Sequence, residues 1–216
     1  SALDSATDLG ELTSTTEPFL AYANDRLYCI INDRIYEPNA NGQFNDISTD
    51  GIADSPFYYI SDNAQQANNV TSACSNGADL FFSSSAGLFR RGTGAEGAVT
   101  ELSGTNGPAD MRSLSAMSFY NGSLYCISGT SIHEISVTDS SAAFTDYEIA
   151  SSSDSANRLS GAADTVRAGD LLVTADAGNQ RVSVYDFAEA THTVLPCTNN
   201  EASFTPSLVA TDGTTI

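Results

Sequence analysis

Lysine and tryptophan are absent from this 216-residue chain, and histidine occurs only twice. With no lysine, eight arginines face 27 aspartates and glutamates, leaving a formal net charge of −19. Such a surface repels phosphate backbones and anionic lipid headgroups, which excludes nucleic-acid and membrane-surface partners. His133 and His192 are too few and too scattered for a histidine-based metal centre. No apolar run approaches the roughly 20 residues that span a bilayer. The opening Ser1-Ala2-Leu3-Asp4 lacks the charged and apolar stretches of a signal peptide. Walker, Gly-x-Ser-x-Gly and His-Glu-x-x-His motifs are missing, and so is any Cys-x-x-Cys or Cys/His spacing.

What is present is an echo. A small polar turn followed by an apolar anchor recurs as Asn24-Asp25-Arg26-Leu27, Asn76-Gly77-Ala78-Asp79-Leu80, Asn121-Gly122-Ser123-Leu124, Ala168-Gly169-Asp170-Leu171 and Asp212-Gly213-Thr214-Thr215-Ile216. The anchors are 53, 44, 47 and 45 residues apart. Period-2 alternation places an inner strand before each turn, near 19–22, 71–74, 114–119 and 161–166. The anchor opens a second strand, and a third begins at Ile35, Leu88, Ile132 and Val182. A more polar outer strand follows, near 44–47, 99–102, 146–149 and 193–195, as suits an exposed sheet edge. No amphipathic helix interrupts the pattern.

Four short strands repeating every 45 or so residues are the signature of a β-propeller. The expectation is therefore an all-β β-propeller of about four full four-stranded blades plus a partial fifth, as a single domain. The repeats cover 17–50, 69–104, 112–151 and 160–198. A partial repeat covers 203–216, and an N-terminal strand lies at 9–14. The unfinished repeat makes a portion of a larger propeller the favoured arrangement, completed by another segment or by a second copy of the chain. Cys29 and Cys126 occupy matching second-strand slots of non-adjacent repeats, too far apart for the ~5.5 Å Cα separation of a disulfide. Cys74 and Cys197 read as small buried residues, so four free thiols are expected.

Asp176-Ala177-Gly178-Asn179-Gln180-Arg181-Val182 resembles the NHL-type blade, in which a loop asparagine and an arginine lead into a Val/Ile strand. Leu124-Tyr125-Cys126-Ile127-Ser128-Gly129 is closer to the second strand of Kelch or YncE-like blades. The chain thus resembles a bacterial β-propeller repeat protein without pointing to one family. The resemblance implies two functional classes, since some propellers of this style bind partners and others are lyases, lactonases or cyclases with a site over the central axis.

Two sets of residues are candidates for chemistry. Phe57, Tyr58 and Tyr59 fall in the longest connection between repeats, where an insertion on a propeller face builds a binding surface. Asp164, Asp170, Asp176 and Asn179 lie on or near the inner two strands of the fourth repeat, an oxygen-rich set that would suit calcium. An aspartate at a strand end is also a turn former. The expected function is a non-enzymatic recognition or scaffold module of an exported, extracellular or cell-surface bacterial protein. Its partners would be a protein or a glycan, with no nucleic acid and no membrane insertion, and a homodimer completing the propeller is a further expectation. No cofactor is required beyond calcium at that carboxylate set. The alternative is an NHL or lactonase-type enzyme with a carboxylate-bound divalent cation on the axis.

Overall fold

A computed structural model describes residues 18–31, 34–38, 44–46, 70–84, 87–92, 99–102, 111, 114–137, 144–150, 154–199 and 202–210. Sixteen of its strands form four antiparallel four-stranded sheets, each a meander in chain order. Blade 1 comprises β1 (Phe19–Ala23), β2 (Arg26–Ile31), β3 (Arg34–Pro38) and β4 (Phe44–Asp46). Blade 2 comprises β5 (Val70–Ser75), β6 (Asp79–Ser84), β7 (Gly87–Gly92) and β8 (Val99–Glu101). Blade 3 comprises β9 (Ala116–Tyr120), β10 (Ser123–Ser128), β11 (Ser131–Ser136) and β12 (Phe144–Glu148). Blade 4 comprises β13 (Ala162–Ala168), β14 (Leu171–Asp176), β15 (Arg181–Asp186) and β16 (Thr191–Pro196). All four repeats expected from the anchor spacing are present, with strand starts matching to within a few residues.

The chain divides into two compact units, Ser1–Thr100 and Glu101–Ile216. Each has its own core, built where two blades face one another. In the first unit Tyr28, Ile30 and Ile35 of blade 1 meet Val70, Leu80, Phe82 and Phe89 of blade 2. In the second, Tyr125, Ile127 and Ile132 of blade 3 meet Leu159, Ala162 and Leu172 of blade 4. Burying a large apolar side chain contributes about 1.5–3 kcal/mol, so these side chains dominate the stability of each pair. The tight turns between first and second strands use Asn24 and Asn121, both at φ 47°. That left-handed region suits asparagine, whose short side chain tolerates it.

None of the four cysteines is in a disulfide. Cys29, Cys126 and Cys197 are buried, but Cys74 is half-buried, because β5 turns its neighbour Ala73 toward the core and Cys74 away from it. After blade 4 the chain forms a small hairpin, β17 (Thr198–Asn199) with β18 (Ala202–Ser203). Residues 204–210, the expected inner strand of the partial repeat, carry no strand. Pro206 has no N–H to give a ladder, and the Val209 N–H donates instead to Asp164 Oδ2 at 3.0 Å. The expected N-terminal strand at 9–14, the residues 211–216 and the segment holding Phe57, Tyr58 and Tyr59 lie outside the described residues.

Candidate functional site

Two polar clusters sit at opposite ends of the inner strands of blade 4. The first closes the β14–β15 connection. Asp176 ends β14 wholly buried, and its carboxylate accepts from the Ser160 N–H (2.8 Å), Asn179 Nδ2 (2.8 Å), Arg181 Nε (2.7 Å) and the Ser183 hydroxyl (3.4 Å). Asn179 Nδ2 and Arg181 Nη2 also donate to the Arg158 carbonyl, at 2.8 and 2.9 Å, and Arg181 Nη1 donates to the Ala156 carbonyl. Gly178 is required here: its N–H donates to the Ser160 carbonyl at 2.8 Å, and a Cβ would lie 2.5 Å from that oxygen. The residues that resemble an NHL blade therefore act as a clasp, binding segment 156–160 to the end of blade 4. A buried, hydrogen-bonded ion pair fixes one arrangement of the chain, because either half alone would be a buried charge without its counter-charge.

The second cluster lies at the far end of β13, where blade 4 faces blade 3. The Arg167 guanidinium carbon sits 3.7 Å from the Phe187 ring centroid, 4.7 Å from Tyr125 and 5.8 Å from Tyr120. Its Nε donates to the Gly169 carbonyl at 2.6 Å, and Nη2 lies 3.9 Å from Asp170 Oδ1. Nη1 is buried with no hydrogen-bond partner among the described residues. Around this cation the aromatic rings pack edge to face, with Phe187 4.8 Å from Tyr147 and 4.9 Å from Tyr185. Glu134 joins the two halves, accepting from the Tyr125 hydroxyl at 3.0 Å and the Tyr147 hydroxyl at 3.3 Å. Burial, reinforced by the Glu134 carboxylate, pushes the Tyr125 phenol up to about 12. Tyr147 is raised by the same two causes in the same order. Tyr120, Tyr147, Tyr185 and Phe187 remain partly open to solvent, so the cluster presents ring faces at the surface, packed over one nearly buried cation.

The four residues expected to hold calcium are distributed between these places. Asp176 and Asn179 come together in the clasp, while Asp170 lies at the opposite end of β14, beside Arg167. Asp164 pairs in the ladder with Ala175, and its carboxylate accepts from the Thr165 and Val209 N–H groups. Among the described residues no three His, Cys, Asp or Glu side chains gather in a way that could hold a metal ion. His133 is buried in β11 with Nδ1 against Asp146. In β16, both ring nitrogens of His192 lack a hydrogen-bond partner among the described residues, and burial, followed by Arg181, lowers its pKa.

The aromatic cluster was not expected from motifs. Its signal lay in residues at recurring strand positions, the aromatic Tyr125 after the anchor Leu124 and the acidic Glu134 two after Ile132, which read only as strand pattern.

No family model and no curated protein matches the chain. Solved structures do. Virginiamycin B lyase from Staphylococcus aureus superposes with a TM-score of 0.56 at 14% identity, over 86% of this chain and 57% of that one. The fold is a β-propeller. A nidogen/laminin complex matches with a TM-score of 0.58 at 11% identity, over 83% and 63% of the two chains. The extracellular domain of a putative hybrid two-component system from B. thetaiotaomicron matches with a TM-score of 0.60 at 9% identity, over 92% and 24%. The present propeller chain thus spans little more than half the length of the lyase it superposes on. At these identities the likeness is one of fold, and the sites differ from propeller to propeller.

Proposed function

We propose that this chain is a non-enzymatic recognition and scaffold module of an exported or cell-surface bacterial protein, and that it binds a protein partner. The observation that carries the reading is the cluster of Tyr120, Tyr147, Tyr185 and Phe187 around Arg167. Tyrosines held rigid and half-exposed over a buried arginine are among the side chains that carry most binding energy at protein interfaces. Rings already locked by edge-to-face contacts and a shared glutamate lose little freedom on binding. The net charge of −19 favours a basic partner surface and fast, salt-sensitive association. The nidogen/laminin match and the extracellular-domain match are consistent with a partner-binding module outside the cell. No helix among the described residues is long and apolar enough to cross a membrane. A lyase reading draws on the names of two neighbours, and the carboxylates it would need are spent on the clasp, on Arg167 and on the 204–210 segment.

The test is selection of a phage-displayed peptide library on the purified chain, with a glycan array run in parallel. Basic peptides are expected to enrich, and the paired substitutions Tyr147→Ala and Tyr185→Ala should weaken them at least tenfold. Enrichment that ignores both substitutions would remove the cluster from the account, and hits confined to the glycan array would replace the protein partner with a sugar.

A further inference from the structure

The two units are built to one plan at a level above the single blade. Asn24, Leu27, Tyr28, Cys29, Ile30, Ile35 and Glu37 of blade 1 each recur as the identical residue 97 positions later in blade 3. The even blades share a different mark. The inner strands β5 and β13 each carry a register shift, between Val70 and Ser72 and between Ala162 and Asp164, which β1 and β9 lack. Both cores use the same positions, Tyr28, Ile30 and Ile35 against Val70 and Leu80, then Tyr125, Ile127 and Ile132 against Ala162 and Leu172. An arginine whose buried Nη1 has no hydrogen-bond partner among the described residues lies near a tyrosine and a glutamate in each unit, Arg91 near Tyr28 and Glu37, and Arg167 beside Tyr125 and Glu134. The repeating module is a pair of blades, one odd and one even.

In that plan β1 and β9 are the same strand, yet they differ in exposure. Met117 of β9 is 4% exposed, whereas Leu20, at the matching position of β1, is 63% exposed, and Tyr22 beyond it is 59% exposed. Leu20 and Tyr22 alternate with Ala21 and Ala23, which face blade 2, so they line the opposite side of the blade. The large apolar side chains exposed elsewhere among the described residues are Leu195 (53%), Phe204 (51%) and Leu208 (80%). All three belong to blade 4 or the segment after it. Leu195 and Phe204 border an open apolar groove of about 410 Å³ that Val173, Val182 and Val209 also line. Among the described residues, exposure of large apolar side chains therefore falls on one side of an odd blade, and on an even blade with the segment that follows it, the two kinds that alternate in the module.

We infer that blade 1 of one copy docks on the blade 4 face of a second copy, head to tail, by the side carrying Leu20 and Tyr22. An odd face that needs an even face, and an even face that needs an odd one, are both present on a single chain, so a second copy satisfies both at once. Contact between unlike patches is heterologous, and two copies close it when each supplies both patches. Each copy carries −19, so the apolar seam forms against mutual repulsion and strengthens as salt screens it. The inference sharpens the homodimer among the partners of the proposed module, and the two docking faces include none of the residues of the aromatic cluster.

The test is light scattering of the full chain after size exclusion, across concentration and at low and high salt. The mass is expected to rise from 22.6 kDa toward twice that value, more readily in about 0.5 M NaCl. Leu20→Asp with Tyr22→Asp, and separately Leu195→Asp with Phe204→Asp, should each hold the chain at monomer mass with an unchanged far-ultraviolet circular dichroism spectrum. Mixing the two blocked chains should restore a dimer, because one intact seam remains. A wild type that stays monomeric at every concentration would overturn the inference. So would a blade 1-blocked chain that still dimerises alone, or a mixture that does not associate. Peptide binding by the aromatic cluster is read separately and can fail or succeed without either result.

Discussion

Removing the carboxylate of Asp176 should destabilise the protein more than any other single change in blade 4. Asp176→Ala leaves the Arg181 guanidinium, nearly buried, without its anion and strips acceptors from the Ser160 N–H, Asn179 and Ser183. Breaking one side of a buried pair costs about 3–5 kcal/mol, because the surviving charge stays desolvated. For a chain of this size each kcal/mol moves the melting temperature by about 2–4 °C, giving a drop of roughly 6–20 °C. Scanning calorimetry reads this directly, and Arg181→Ala supplies the second leg. That variant should cost less, since Asp176 keeps three neutral donors, and the double variant should cost less than the sum of the two by roughly 1–3 kcal/mol. A fall under 2 °C for Asp176→Ala, or strict additivity in the cycle, would refute the clasp as a coupled unit.

Spectrophotometric titration at 295 nm should find one tyrosine ionising at about 12, and Glu134→Gln should bring it down by removing the carboxylate that accepts its proton. Asp164 has a raised pKa, chiefly from burial and partly offset by the Val209 and Thr165 N–H groups. The folded state therefore binds its proton more tightly. The resulting stability is complete below the ordinary value of 3.8 and is lost as pH rises through the folded pKa. Urea melts across that window should show this slope in the wild type and lose it in Asp164→Asn. Ellman's reagent should label Cys74 first in the native protein and all four thiols in denaturant, since Cys29, Cys126 and Cys197 are buried and burial raises Cys29 and Cys126 above the ordinary thiol value. Ile127→Ala, at the centre of the second core, should cost about 2–5 kcal/mol, measured by the same melts.

The blades were legible because their signals are local. Turn asparagines and glycines, anchors such as Leu80 and Leu124, and alternation along 10-residue stretches reproduce almost every strand boundary. The candidate site was less legible, for a physical reason. Arg167 and Phe187 are 20 residues apart and meet Tyr125 and Tyr147 of another blade only after two sheets pack, so no spacing rule brings them together. The carboxylates posed the converse problem. Asp170 and Asp176 sit six residues apart, but they bound opposite ends of β14, and proximity in sequence places them at a distance along the strand. The clasp shows what the NHL-like residues do here: Asn179 and Arg181 hold backbone. The pairing of blades into modules was visible in the 97-residue identities, though a reading tuned to single repeats passes over a period twice as long.

The most direct test of the recognition account is hydrogen–deuterium exchange of the chain with and without a selected peptide. Protection concentrated at residues 120–125, 144–148 and 185–187, and absent after Tyr147→Ala with Tyr185→Ala, is the predicted result. Protection confined to other strands, with those three segments exchanging as in the free protein, would contradict it.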